Sequence, residues 1–128
     1  MTDTTPTPVY LDNNATTRVA PEVVAAMLPF FTEQFGNASS LHVFGSKVGG
    51  ALKAAREELR LLLGAEHDHE IVFTSGGTES DNAAILSALE TQAGRDEIIT
   101  SAVEHPAILA LCEHLRKTGR AKVHVIGV

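Results

Sequence analysis

The segment IVFTSGGTES, residues 71–80, decides the fold of this chain. Residues 71–74 are β-branched or aromatic and are bounded by polar positions, which predicts a buried strand. The glycines at positions 76 and 77 end that strand. From Thr78 to about residue 91 the apolar positions recur with helical spacing, which predicts a helix. A short apolar strand that passes through a glycine turn into a helix is typical of an α/β protein.

The chain after this segment continues the same alternation. Residues 97–100 and 122–128 are short apolar runs that predict two further strands, and residues 106–117 between them predict a helix. Strands that alternate with helices favour parallel pairing through right-handed crossovers. We therefore predict a βαβαβ unit, with a mostly parallel sheet and flanking helices.

The chain before this segment is predicted to be helical. Pro21 suits the first turn of a helix, and Pro29 is expected to interrupt it. Residues 44–63 carry an apolar stripe that predicts a long helix ending at a left-handed Gly64. The predicted organisation is a disordered tail over residues 1–8, an N-terminal strand and helical segment over 9–70, and the sheet-forming part over 71–128.

Composition excludes several classes of protein. The 128 residues carry a formal net charge of −6, which argues against nucleic acid as a main partner. No apolar run approaches the roughly 18 residues of a membrane span. Cys112 is the only cysteine, so no intrachain disulfide is possible and a cytoplasmic, reducing location is expected. The loop over residues 67–70 mixes histidines with acids, and we predict that it is solvated and binds no metal.

The glycine turn is a candidate phosphate site. In an open parallel sheet, ligands bind beyond the carboxyl ends of the strands. Gly76 and Gly77 allow close approach or a positive φ, and the helix that follows begins with unpaired N–H groups. Together with the hydroxyl of Thr78, these groups form a possible phosphate cradle. A tight turn followed by a capping box over residues 78–81 explains the same pattern, and the residues alone leave both interpretations open.

His105 is the second candidate, because it follows the next predicted strand at the same edge. An imidazole there can stack on an aromatic cofactor or carry a proton near neutral pH. It can equally do no more than precede a helix that begins at Pro106, and the residues leave this open as well. Two other side chains with reactive groups are predicted to have no catalytic role. Cys112 shares a helical face with apolar residues and is expected to be a small core residue. Lys47 lies on a helix with exposed charges and is expected to be solvated.

Four stretches in register resemble the NifS/IscS-type cysteine desulfurases, which are class-V enzymes dependent on pyridoxal 5′-phosphate (PLP). The resemblance implies the start of a fold-type I, aspartate-aminotransferase-like large domain that is truncated here. Residues 12–18 and 28–34 look closer to the nitrogen-fixation NifS branch than to IscS. The four stretches are YLDNNATT (10–17), FGNASSLH (35–42), EIVFTSGGTES (70–80) and VEHPA (103–107).

The resemblance also implies residue roles. Gly77 and Thr78 match the pair that binds the phosphate of PLP. His105 matches the catalytic histidine that stacks on the pyridine ring and assists proton transfer. Four further residues fall in loops that approach the active site in the family: Asn13, Asn14, Asn37 and His42.

Departures from the family pattern limit what this chain is expected to do. Ala38 stands where the family usually has proline and Gly77 where it often has alanine, and neither change removes a chemical group. No residue matches the Schiff-base lysine, the aspartate that pairs with the pyridinium nitrogen, or the cysteine that accepts sulfur. We therefore expect this chain alone to be inactive. We also expect it to be only marginally stable, because a truncated parallel sheet leaves an unpaired edge and uncovered apolar faces.

The function implied by the resemblance is the conversion of L-cysteine to L-alanine, with sulfur held as an enzyme persulfide. An iron–sulfur scaffold protein would accept that sulfur, with nitrogenase as one destination, and the full-length form would be a homodimer. Other class-V PLP enzymes, such as a selenocysteine lyase or an aminotransferase, are alternatives. A non-catalytic remnant or interaction module is a third possibility.

Overall fold

The computed structural model describes residues 8–128. The predicted tail, residues 1–8, lies outside the described residues except for Pro8. The chain divides into two compact units, Met1–Ile71 and Val72–Val128. The assignment of residues 9–70 and 71–128 to separate domains stays a prediction.

The first unit is helical. Pro29 separates its first two helices, as expected for a residue that lacks an N–H and cannot continue a helical hydrogen-bond ladder. The long helix ends at Gly64, whose φ of 71° and ψ of 24° confirm the predicted left-handed position. The elements are α1 (Pro21–Met27), α2 (Pro29–Thr32), α3 (Val43–Leu63) and a 3-10 turn (Asp68–Glu70).

A close contact between a loop and the start of α3 organises this unit. Gly45, in the first turn of α3, is buried. A Cβ atom added there would lie 2.6 Å from the carbonyl oxygen of Asn37 and closer still to that of Ser40. A Cβ atom at Gly36 would lie 2.5 Å from the carbonyl oxygen of Phe44. The two backbones therefore touch at a distance that only glycine permits.

The second unit contains a two-stranded parallel sheet. The strands pair in register from Glu97 opposite Lys122 to Ser101 opposite Ile126, and the helix between them contacts both the preceding helix and the second strand. This confirms the predicted parallel pairing through a helical crossover. The elements are α4 (Gly77–Thr91), β1 (Glu97–Ser101), α5 (Pro106–Lys117) and β2 (Lys122–Ile126).

Two predicted strands are not observed. The N-terminal strand expected within residues 9–70 was a wrong prediction, because the described part of that segment contains only helices and a 3-10 turn. Residues 71–74, expected to form the first strand of a βαβαβ unit, belong to no sheet within the described part of the chain. A strand requires a neighbouring strand to exchange backbone hydrogen bonds with. The carbonyl of Ile71 instead accepts a hydrogen bond from the guanidinium of Arg56, so the prediction of three strands was wrong for this chain.

The buried core of the second unit lies along α5. Cys112 and Leu115, two of the residues predicted to share its apolar face, are 2% and 0% exposed, and Ala121 before β2 is also buried. On the sheet, Ile99 and Ile126 share one face and are 71% and 60% exposed. That face of the sheet is therefore exposed, and the opposite face is only partly covered, with Ile98 and Val123 half-buried and Val125 57% exposed. Among the described residues, no helix is both long and apolar enough to cross a membrane.

Acid is expected to weaken the last turn of α5. The Arg116 guanidinium, at 2.9 Å from both carboxylate oxygens of Glu113, and the Lys117 ammonium, at 3.2 Å, lower the pKa of Glu113 to about 2. A carboxyl whose pKa is depressed on folding stabilises above its ordinary pKa of 4.5, and that contribution disappears as the pH falls towards about 2.

The measurement is urea unfolding of the wild type and of Glu113→Gln across this pH range. We expect the variant to be less stable at neutral pH and the two proteins to converge near pH 2. Glu90→Gln serves as a control, because Glu90 pairs with Arg120 at 3.5 Å and with no other cation in the part of the chain that the structure describes. A difference between Glu113→Gln and the wild type that is independent of pH would contradict the expectation.

Candidate functional site

Two predicted site segments lie in the second unit, each at the start of a helix. Gly77 and Thr78 begin α4, and His105 immediately precedes α5. The two helices contact each other, and α5 starts beyond the carboxyl end of β1. The structure thus places both segments in one unit, although no hydrogen bond joins Thr78 to His105 among the described residues.

The start of α4 carries no side-chain cap. Gly76 occupies the N-cap position, and no side chain there accepts a hydrogen bond from the first turn. The capping box considered for residues 78–81 does not form, because the helix begins at Gly77, ahead of Thr78. The first N–H groups of a helix have no partner within it, so the backbone at this end of α4 keeps its donors for an external acceptor.

The glycines of this turn provide open space. An added Cβ atom would meet nothing within 4 Å at Gly76 or at Gly77. Neither residue lies in the left-handed region: Gly76 is extended, with φ 164° and ψ 178°, and Gly77 is helical. The left-handed conformation considered from the sequence is therefore absent, and glycine at these positions instead lets another group approach the backbone.

Side-chain hydrogen bonds of two residue pairs, Glu79 with Ser75 and Thr74 with Ser80, hold this turn in place. The Glu79 carboxylate accepts from the N–H of Ser75 at 2.8 Å and from its hydroxyl at 2.6 Å. The hydroxyls of Thr74 and Ser80 lie 2.6 Å apart. The Ser75 hydroxyl and N–H lower the pKa of Glu79, so its carboxylate is ionised at neutral pH. The role of Glu79 was not predicted from the sequence, although its position four residues after Ser75 was a visible signal.

His105 is exposed and caps α5. Its Nδ1 accepts a hydrogen bond from the N–H of Ala107 at 3.2 Å. Because Nδ1 acts as the acceptor, the proton of the neutral ring lies on Nε2. His105 therefore does precede the helix, as one of the two interpretations of the sequence proposed. Its capping hydrogen bond also fixes the orientation of the ring.

A tyrosine organises the first loop of the N-terminal unit. The Tyr10 hydroxyl lies 2.7 Å from the carbonyl oxygen of Asp12 and 3.1 Å from that of Thr16. The turn between them carries Asn13 and Asn14, both exposed. No sequence signal pointed to Tyr10, since its bonds are to backbone atoms of a loop.

Asn37 and His42 have local structural partners. The Asn37 side-chain oxygen accepts from the N–H of Ser39 at 2.9 Å. His42 caps α3, with Nδ1 accepting from the N–H of Gly45 at 3.4 Å. Both contacts lie within the first unit, and an active-site role for these residues stays a prediction.

The remaining reactive side chains have structural surroundings. Burial, and secondarily the negative charge of Glu104, raises the pKa of the Cys112 thiol, which makes it a poor nucleophile. The rings of His67 and His69 stack at 5.2 Å, while Glu70 accepts from the N–H of Glu66 at 2.8 Å. Within residues 8–128, no group of three or more histidine, cysteine and acidic side chains is arranged to hold a metal.

Curated proteins similar to this chain are cysteine desulfurases. The chain is 76% identical over 120 residues to the cysteine desulfurase of Gluconacetobacter diazotrophicus, and the matched residues make up 94% of this chain and 30% of that protein. It is 68% identical over 111 residues to the cysteine desulfurase NifS of Azotobacter vinelandii. Those residues make up 87% of this chain and 28% of that protein. The chain thus spans about 30% of the length of these relatives.

Solved structures agree in fold. A NifS-like protein superposes with a TM-score of 0.79 at 37% identity, over 89% of this chain and 31% of its own. DndA from Streptomyces lividans superposes with a TM-score of 0.72 at 41% identity, over 92% of this chain and 33% of the DndA chain. These likenesses confirm the predicted fold class, the beginning of a PLP fold-type I large domain. The family model of class-V aminotransferases matches residues 9–128, and the chain therefore belongs to the class-V aminotransferase family.

Proposed function

We propose that this chain is the N-terminal part of a PLP-dependent cysteine desulfurase, which converts L-cysteine to L-alanine and retains the sulfur as a persulfide. The observation that carries the proposal is the uncapped, glycine-lined start of α4 in a chain 76% identical to a cysteine desulfurase. The likeness to NifS of Azotobacter vinelandii supports sulfur supply to an iron–sulfur scaffold, including that of nitrogenase. We further propose a cytoplasmic location and a homodimeric full-length form.

The residues present fit the phosphate of PLP. A phosphate dianion needs several donors and a favourable electrostatic field, and the N-terminus of a 15-residue helix offers both. The N–H groups of Gly77 and Thr78 and the Thr78 hydroxyl would hold the phosphate. The open space at both glycines leaves room for its oxygens, and no side chain of this turn competes for the donors as a cap.

His105 would hold the pyridine ring and assist proton transfer. The bond from Ala107 to Nδ1 fixes the imidazole plane, and the exposed ring is accessible to a flat ligand. Nε2 holds the proton of the neutral ring and is the nitrogen left to form a hydrogen bond with a ligand. When bound, PLP supplies the electron withdrawal that lets an amino acid lose its α-proton.

A chimera tests this function. Residues 9–128 of this chain would replace the aligned residues of the Gluconacetobacter diazotrophicus desulfurase, to which the chain is 76% identical. We expect the chimera to form L-alanine from L-cysteine at a rate comparable with the parent's. The 128-residue chain alone is expected to be no faster than free PLP, because it has no residue matching the Schiff-base lysine or the acceptor cysteine.

Variants of the chimera separate the role of His105 from helix capping. Asparagine is a good N-cap residue but has no ring, so His105→Asn is expected to keep the fold and lower turnover about 10²–10⁴-fold. His114→Asn, at an exposed histidine within α5, is the matched control and should leave turnover unchanged. A folded chimera that releases selenium from selenocysteine but makes no alanine from cysteine would favour the selenocysteine lyase instead.

A further inference from the structure

The hydrogen bonds around the start of α4 are displaced by one residue from the usual arrangement. In a capping box, a glutamate at the third helical position bonds back to the N–H of the N-cap residue, and the N-cap side chain bonds forward into the helix. Glu79 occupies that third position, but its carboxylate reaches past Gly76 to the N–H and hydroxyl of Ser75.

This displacement has a consequence for the first turn of α4. Gly76 has no side chain that could accept a hydrogen bond from the first turn of the helix. The Glu79 carboxylate already accepts from Ser75, which precedes the helix. The pair formed by Thr74 and Ser80 crosses the same turn, at 2.6 Å between the hydroxyl oxygens. Both contacts hold the turn from outside, so its shape is fixed without using the N–H groups of the first helical residues.

We infer that Glu79 is a positioning residue for the phosphate site, holding the Ser75–Gly76 turn so that the N–H groups of Gly77 and Thr78 stay open to the anion. The inference rests on the proposed function. It assigns to Glu79 no contact with the phosphate itself. Its contribution is preorganisation, since a turn that is already ordered loses less conformational entropy on binding.

The charge of Glu79 makes this role distinguishable from a purely electrostatic one. A carboxylate in the first turn favours the helix itself but repels a bound dianion. Removing the charge while keeping an oxygen acceptor, as in Glu79→Gln, should relieve repulsion and retain the turn. Removing both, as in Glu79→Ala, should release the turn. The two variants are therefore expected to change phosphate affinity in different directions.

The experiment compares pyridoxine 5′-phosphate with pyridoxine by calorimetry on the full chain. Neither compound has an aldehyde, so neither reacts with lysine side chains, and the ratio of their dissociation constants isolates the phosphate. The variants are Glu79→Ala and Glu79→Gln. Glu90→Ala, at the far end of the same helix, is the control that should keep the wild-type ratio.

We expect the wild type to prefer the phosphate ester by at least about tenfold, in line with charge-assisted bonds to a helix start. Glu79→Ala should lose about tenfold in affinity for the ester and little for pyridoxine, as expected when hydrogen bonds to a charged group are removed. Glu79→Gln should bind the ester as well as the wild type or up to about threefold more tightly, since exposed charge pairs contribute little.

Three results would overturn the inference. If both variants bind the ester more tightly, Glu79 acts only through its charge. If the wild type prefers the ester but Glu79→Ala does so equally, the phosphate site stands and Glu79 has no part in it. If the wild type shows no preference, the proposed phosphate site and the inference fail together. If Glu79→Ala does not fold, Ser75→Ala is measured in its place. This variant loses the hydrogen bond from the Ser75 hydroxyl to Glu79, and its affinity for the ester should fall about threefold.

Discussion

Replacing Gly45 by alanine is expected to destabilise the N-terminal unit by at least about 2–3 kcal/mol, as overpacking of a site without free volume does. The new Cβ atom would lie 2.6 Å from the carbonyl oxygen of Asn37 and closer still to that of Ser40. Both neighbours are backbone atoms, so no side-chain rotation relieves the contact. The loop or the helix must move, and the bond from Gly45 to His42 that caps α3 would be lost with it.

Two other glycines of α3 provide matched controls for this result. A Cβ atom at Gly50 meets nothing within 4 Å, so Gly50→Ala should stabilise the helix by about 0.5–1 kcal/mol through lower conformational entropy of the unfolded chain. At Gly49 the Ala38 carbonyl oxygen would lie at 3.2 Å, and an intermediate effect is expected. Hydrogen exchange of the α3 amides measures all three. Equal changes in stability for alanine at the three glycines would contradict the proposed role of the close contact at Gly45.

Truncation of Leu115 to alanine is expected to have the second large effect, a loss of about 2–5 kcal/mol in the second unit. Leu115 is 0% exposed. The core around it is small, so few neighbours are available to fill the cavity. Leu62→Ala, at a leucine 79% exposed in α3, should change stability by less than about 0.5 kcal/mol.

The single cysteine reports on this variant directly. Cys112 is 2% exposed and lies on the same face of α5 as Leu115. Its reaction with a thiol reagent requires opening of the unit, so a loss of 2 kcal/mol should raise the labelling rate about 30-fold when opening is in rapid equilibrium. Unchanged labelling in Leu115→Ala, alongside a lower melting temperature, would show that Cys112 is reached without opening the core.

The helices were predictable from the sequence because their signals are local. Pro106 at the start of α5 and Gly64 at the end of α3 each act through their own backbone geometry. The parallel pairing of β1 with β2 followed from the helix between them. The candidate site was also local, since Gly77 and Thr78 lie between a predicted strand and a predicted helix.

The features that escaped the sequence depend on groups that only the fold brings together. Residues 71–74 look like a strand by composition, yet a strand also needs a partner, and composition does not supply one. The contact at Gly45 depends on where the loop of Asn37 and Ser40 runs. The role of His105 as a cap depends on the backbone geometry at the start of α5. In each case one partner is a backbone atom, which leaves no mark in the sequence.

The cap on α5 links the tautomer of His105 to the conformation of the helix. While Nδ1 accepts from the N–H of Ala107, the proton of the neutral ring stays on Nε2. A ring with its proton on Nδ1 would point a donor at a donor and could not make this bond. His42 stands in the same relation to Gly45 and α3. The backbone at the start of each helix therefore selects the tautomer of the histidine that precedes it.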